Sequence, residues 1–100
     1  MGHVLNRQQT LDLLARSKAD LQKRFGVKTL GLFGSTARGT ATERSDVDVL
    51  VSFIGPATSG QYFGVQFYLE DLLGRPVDLV TDKALRRELR PYVEKELVNV

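Results

Sequence analysis

Cysteine is absent from this 100-residue sequence, and histidine occurs once, as His3. The first absence excludes disulfides, thiol catalysis and zinc held by cysteines. The second excludes histidine-based triads and histidine-rich metal centres. A strong charge bias is missing as well: fourteen basic against twelve acidic residues leave a net +2. So mild an excess argues neither for nor against nucleic acid, and direct nucleic-acid binding is not expected. No apolar run approaches the length of a membrane span, and the N-terminus carries no apolar signal region. These absences point to a cytoplasmic protein with no membrane association. There is no internal repeat or low-complexity tract, and apolar and charged fractions of 42% and 26% are ordinary for a globular protein. One domain over residues 1–100, large enough to bury a core without staples, is the expectation.

What is present is organised around residues 30–53, LGLFGSTARGTATERSDVDVLVSF. A short apolar run over 27–33 reads as a strand and ends in Gly34-Ser35. Gly31 inside that run marks a close backbone approach. Thr36-Ala37-Arg38 begins a short helix that Gly39 breaks, and residues 39–45 are a loop by composition. A helix starting just after Gly34-Ser35 presents free N–H groups to an anion, with the Ser35 hydroxyl as an added donor. An ordinary tight turn fits the same two residues.

Residues 46–53, DVDVLVSF, alternate with a period of two. Val47, Val49, Val51 and Phe53 share one face, and Asp46, Asp48, Leu50 and Ser52 share the other. The two aspartates then stand on the same side, roughly 7 Å apart at Cα. That separation lets two carboxylates converge on ions about 3.5–4 Å apart, the two-metal arrangement of phosphoryl and nucleotidyl transfer. A strand-entry cap at Asp46 and a solvated Asp48 is the plainer alternative. A third apolar run, 76–81, carries Asp78 in its middle. The helix between allows a crossover that leaves this strand parallel to 46–53 and brings Asp78 beside Asp48.

The remainder reads as a frame. Residues 6–25 predict a helix with Asn6 as cap and Gln9 completing a capping box. Leu11, Leu14, Ala15, Leu21 and Phe25 recur at helical spacing, and Gly26 is the stop. Residues 61–73 predict a second long helix with Val65, Leu69, Leu72 and Leu73 toward the core. Its aromatics, Tyr62, Phe63, Phe67 and Tyr68, suit core packing or a partner surface better than base stacking. The tail, 82–100, is helical in propensity, capped by Asp82 and broken at Arg90 by the proline that follows. Arg86, Arg87 and Arg90 either reach a phosphate, a nucleic acid or an acidic partner, or form a solvated face. The apolar end, 97–100, is expected to dock on the core or on another chain.

Gly34-Ser35, ten residues, then Asp46-x-Asp48 resembles the signature of the DNA polymerase β-type nucleotidyltransferase superfamily. GSTARGTATERSDVDVLV, the later RPVDLVT and the tail RRELRPYVEKELV sharpen the resemblance to its minimal nucleotidyltransferases, whose antitoxin members are paired with HEPN-domain toxins. The resemblance implies an α/β (α+β) fold with a small mixed sheet of about three strands flanked by helices. Its first two strands would be antiparallel, so that the Gly34 and Asp46 ends meet. It also implies a division of labour. Gly34 and Ser35 would hold the triphosphate of ATP. Asp46 and Asp48 would ligate two Mg2+ ions, and Asp78 would ligate one of them and help to deprotonate the attacking hydroxyl. Arg38 would reach a phosphate or brace the loop through Asp46 or Glu43.

The resemblance further implies a protein adenylyltransferase that moves AMP from ATP to a tyrosine of a HEPN-family ribonuclease toxin in a hetero-oligomer. Two alternatives stand beside it: a non-catalytic antitoxin that acts by binding, and a nucleotidyltransferase for a small molecule or RNA. Base choice rests on loop geometry that the sequence does not reveal.

Overall fold

The structure, a computed structural model, describes residues 5–100; His3 lies outside them. In chain order it contains α1 (Arg7–Phe25), β1 (Val27–Phe33), α2 (Gly34–Arg38), β2 (Val47–Phe53), α3 (Ser59–Leu73), β3 (Val77–Thr81), a 3-10 turn (Asp82–Ala84), α4 (Arg90–Glu96) and β4 (Val98–Asn99). The strands form one mixed sheet in the order β3-β2-β1-β4. β1 runs antiparallel to β2 and to β4, while β2 and β3 are parallel. The α/β fold class and the parallel crossover hold, with four strands in place of about three.

Helix boundaries follow local chemistry. Asn6 accepts from the Gln9 amide at 2.8 Å, and Gln9 Oε1 accepts from the Asn6 amide at 3.0 Å, which closes the expected capping box of α1. Gly26 ends that helix in the left-handed conformation, φ 69°. Thr58 and Gln61 form a second capping box, so α3 begins at Ser59, two residues before the predicted start. Gly74 ends it, φ 65°.

Both long helices contribute to a core on one face of the sheet. Leu14 and Leu21 of α1 and Val65, Leu69 and Leu73 of α3 pack with Leu30, Leu32, Val47, Val49, Val51, Val77 and Leu79. Alternation sends Asp48, Leu50, Ser52, Asp78 and Val80 to the other side. The α1 stripe is shifted from the predicted one: Thr10 and Ser17 are buried and Ala15 is exposed. Both hydroxyls bond inside their own helix, Thr10 to the Asn6 carbonyl and Ser17 to the Leu14 carbonyl, so their burial leaves no polar atom unpaired. Leu72 is likewise exposed, one position off the buried line of Leu69 and Leu73.

The tail departs most from expectation. Pro91 occupies the first turn of α4, where its missing N–H costs nothing, so it helps to start a helix that includes Arg90. Thr81, not Asp82, caps the 3-10 turn. The apolar end docks by β-pairing: Asn99 lies opposite Gly31, Val98 opposite Leu32, and the Val100 amide donates to the Leu30 carbonyl at 3.0 Å. No helix among the described residues is long and apolar enough to cross a membrane.

Candidate active site

Two chain reversals place the site. β1 ends at Phe33, directly opposite Asp48, and the chain turns at Gly34 into the short α2. β2 and β3 start side by side, with Asp48 in register with Asp78. The turn, Asp48 and Asp78 therefore share one end of the sheet. Asp46 belongs to the loop before β2 and is exposed, so the strand starts one residue later than predicted.

Gly34 is essential to this geometry for two reasons. Its φ is +74°, a conformation that favours glycine. A Cβ at this position would also lie 2.0 Å from Asp48 Oδ2, so the Asp48 carboxylate rests against the bare backbone of the turn. Gly31 has a different reason: a Cβ there would meet the Leu97 side chain at 2.7 Å. The close approach expected at Gly31 is thus to the tail, not to a ligand.

Electrostatics single out Asp48. Its carboxyl is pushed up to about 6, first by burial and then by the charge of Asp78, a hydrogen bond with Asp78 and the charge of Asp46; Arg38 opposes the shift. Among the described residues, no three acidic or imidazole side chains are already closed into a metal-ligand set. The donor chemistry nevertheless fits a divalent cation. All three side chains offer carboxylate oxygen, which suits hard cations such as Mg2+, and the mutual repulsion at Asp48 is what a bound cation would relieve.

Over residues 14–99 the chain matches the family described as Nucleotidyltransferase domain. A Thermococcus cleftensis relative named Protein adenylyltransferase MntA is 39% identical over 97 residues, which is 97% of this chain and 98% of the relative. A solved structure assigned to the minimal nucleotidyltransferases is 37% identical and matches with a TM-score of 0.79, over 99% of this chain and all of the other. The MNT antitoxin–HEPN toxin complex of Shewanella oneidensis, with the toxin tri-AMPylated, includes a chain of the same fold. There the TM-score is 0.67 at 18% identity, over 93% of this chain and 70% of that one. This chain belongs to the nucleotidyltransferase domain family.

Two side chains that the sequence does not flag shape the site of this nucleotidyltransferase domain. Glu96, at the end of α4, accepts from the Gly34 amide at 3.0 Å and from Arg38 Nη1 at 2.8 Å. Arg38, with a side chain 53% exposed, is therefore braced by Glu96 and not by Asp46 or Glu43. The Arg38 guanidinium, opposed by partial burial and helped by the Gly34 amide, holds the Glu96 carboxyl below the ordinary range. Sixty-two residues separate Glu96 from Gly34, so no local pattern announces the contact. Arg90 is likewise committed, pairing with Asp82 at 2.9 Å and Glu94 at 3.6 Å, while Arg86 and Arg87 are exposed.

Arg75 is the second. Its Nη2 donates to the carbonyls of Thr42, Glu43 and Ser45 at 3.1, 2.7 and 2.6 Å. One guanidinium thus gathers the loop that delivers Asp46. Removing it frees three carbonyls that share the two protons of one nitrogen, each full bond being worth about 1 kcal/mol net. Arg75→Ala is expected to lower stability by roughly 1–2 kcal/mol, read by urea denaturation. It should also make the amide hydrogens of the 40–45 loop exchange faster than they do in the unaltered protein. Unchanged exchange in that loop would show that the guanidinium does not order it.

Proposed function

We propose that this protein is a metal-dependent protein adenylyltransferase that transfers AMP from ATP to a tyrosine hydroxyl of a cognate HEPN-family ribonuclease toxin and thereby acts as its antitoxin. The observation that carries the reading is the in-register pair of Asp48 and Asp78, with Gly34 pressed against the first. Burial and the Asp78 charge oppose ionisation of Asp48, and a cation held between the two carboxylates would relieve that opposition. The name of the Thermococcus relative and the AMP groups on the toxin of the Shewanella complex support the acceptor class.

In this reading Asp46, Asp48 and Asp78 hold two Mg2+ ions, which when bound neutralise the charge that builds on the transferring phosphate. Gly34 keeps the backbone out of the way, and Ser35 offers its hydroxyl and amide to the triphosphate. Asp78 takes up the proton of the attacking tyrosine hydroxyl. The bond formed joins the tyrosine oxygen to the α-phosphorus. The bond broken joins that phosphorus to the bridging oxygen of pyrophosphate, which leaves in line. Positioning and charge neutralisation are what such chemistry needs, with no covalent help from the protein.

Intact-mass spectrometry of the HEPN partner tests the reading, after co-expression with this protein or with its Asp46→Ala, Asp48→Ala variant. The partner is expected to gain one or more AMP units only with the unaltered protein, and tandem fragmentation should place them on tyrosine. An unmodified partner that is nonetheless bound and silenced by both versions would replace the enzymatic reading with inhibition by binding.

A further inference from the structure

We propose that Glu96 is a positioning residue of the nucleotide site: it occupies the Gly34 amide and the Arg38 guanidinium, fixing the phosphate-facing turn from the C-terminal segment and leaving Ser35 as the turn's first free donor. This rests on the reading above that the turn faces a nucleotide. The Gly34 amide points to the Glu96 carboxylate at 3.0 Å, and the other carboxylate oxygen takes Arg38 at 2.8 Å. Both ends of α2 are thereby held by one side chain, through charge-assisted hydrogen bonds. Without it, the Gly34 amide and the Arg38 cation would both be free to take a phosphate, and α2 would lose its tie to α4, leaving the Arg7 bond to the Ala37 carbonyl and the burial of Thr36 to hold it.

The same contact admits an opposite function, in which Glu96 mimics a phosphate and must leave before the nucleotide enters. The packing behind Glu96 decides against that. β4 begins two residues later, with Val98 paired to Leu32 and Asn99 to Gly31. The intervening Leu97 lies over Gly31, where a Cβ would come within 2.7 Å of it. The Val100 amide donates to the Leu30 carbonyl at 3.0 Å, and the Val100 carbonyl accepts from Lys18 Nζ at 2.7 Å. Backbone withdrawal of Glu96 would therefore strip an edge strand from the sheet. With its backbone anchored in this way, and its side chain held by the two bonds to Gly34 and Arg38, Glu96 serves as a brace.

The brace has a graded signature. Glu96→Gln keeps an oxygen for the Gly34 amide and loses the charge pairing with Arg38. Glu96→Ala loses both. Binding of ATP with Mg2+ is measured by calorimetry for the wild type and both variants, with thermal melting as the fold control. ATP affinity is expected to fall roughly tenfold or more in Glu96→Ala and about threefold in Glu96→Gln, with Glu96→Gln melting close to the wild type. In the adenylylation assay the loss should appear in KM for ATP more than in kcat. Tighter ATP binding in either variant would overturn the brace and establish competition. Equal binding in all three would overturn it too, while leaving the nucleotidyltransferase reading intact. A wild type that binds no ATP would remove that reading, and the brace with it.

Discussion

Asp48→Asn is expected to abolish nucleotidyl transfer and, in the same molecule, to raise the melting temperature of the metal-free protein at neutral pH. The loss of activity follows from the position of the carboxylate between Asp78 and the glycine turn. Charge neutralisation at a metal site contributes several kcal/mol to the transition state, so a rate loss of about a thousandfold or more is expected.

The gain in stability follows from linkage. The Asp48 carboxyl stands at about 6 in the folded protein against an ordinary value of 3.8. A carboxyl whose folded pKa lies above its unfolded value holds more protons in the folded state between those two pH values. Its stabilising contribution is complete below about pH 3.8 and is lost as pH rises through about 6. Above that window the ionised group opposes folding. Full linkage over about two pH units corresponds to ~3 kcal/mol. Asp48 is only half-buried, so solvent screening reduces the expectation to about 1–2 kcal/mol. Asparagine keeps the shape and removes the charge. For a domain of this size, ~1 kcal/mol corresponds to roughly 4–8 °C in Tm. The variant should melt several degrees above the wild type at pH 7.5 in the absence of metal, and with it near pH 3.5. Added Mg2+ should raise the wild type more than the variant. A variant that melts below the wild type at pH 7.5 would show that the carboxylate is held comfortably and that no cation is needed there.

An opposition of that kind, activity against stability, is also what made the site legible in the sequence. Asp48 keeps the alternation of its strand but puts a second carboxylate on one face with Asp46, while Asp78 interrupts an apolar run, and carboxylates gathered at the starts of neighbouring strands need a compensating charge. Period two put Asp48 on the face opposite Val47 and Val49, and the helix between the strands allowed the parallel crossover that sets Asp48 against Asp78. The α1 cap was legible because it is local, Asn6 with Gln9 closing as expected. The cap expected at Asp82 is instead Thr81, and the same box at Thr58 and Gln61 was not foreseen. The start of α3 was misjudged because Ser59 and Gly60 have loop-like composition, while the Thr58 cap two residues upstream determines where the helix begins.

What was not legible is non-local. The tail reads as helix by propensity, yet its last residues gain more by pairing with the β1 edge, which would otherwise expose unpaired backbone groups. Pro91 reads from the sequence as a helix breaker, and the tertiary setting makes it a first-turn residue instead. Arg38 offers the same lesson. Its near neighbours in sequence, Glu43 and Asp46, were natural partners, and the structure gives it Glu96, 58 residues away. Contacts of that separation carry no periodic signal, so the brace on the glycine turn was invisible until the chain was folded.

Gly34→Ala is expected to be far more damaging than Gly39→Ala, and the comparison isolates what the turn does. Both glycines adopt the left-handed conformation, φ +74° and +77°. Alanine in that conformation costs roughly 1–2 kcal/mol at either position. At Gly39 nothing lies within 4 Å of the added Cβ, so backbone strain is the whole cost, and transfer should stay within a few-fold of the wild type. At Gly34 the new Cβ would stand 2.0 Å from Asp48 Oδ2 and 2.8 Å from its Cγ, so the carboxylate must move. Overpacking of this kind adds about 1–3 kcal/mol, and a displacement near 1 Å at a reacting centre costs about a hundredfold in rate. Urea denaturation and single-turnover transfer measure the two losses separately. Asp48→Ala in the Gly34→Ala background should recover part of the stability and none of the activity, because it removes the atoms that clash together with the charge the chemistry needs. If Gly34→Ala matched Gly39→Ala in both measurements, the Asp48 carboxylate would not be seated against the turn, and the geometry argued for the site would fail at its centre.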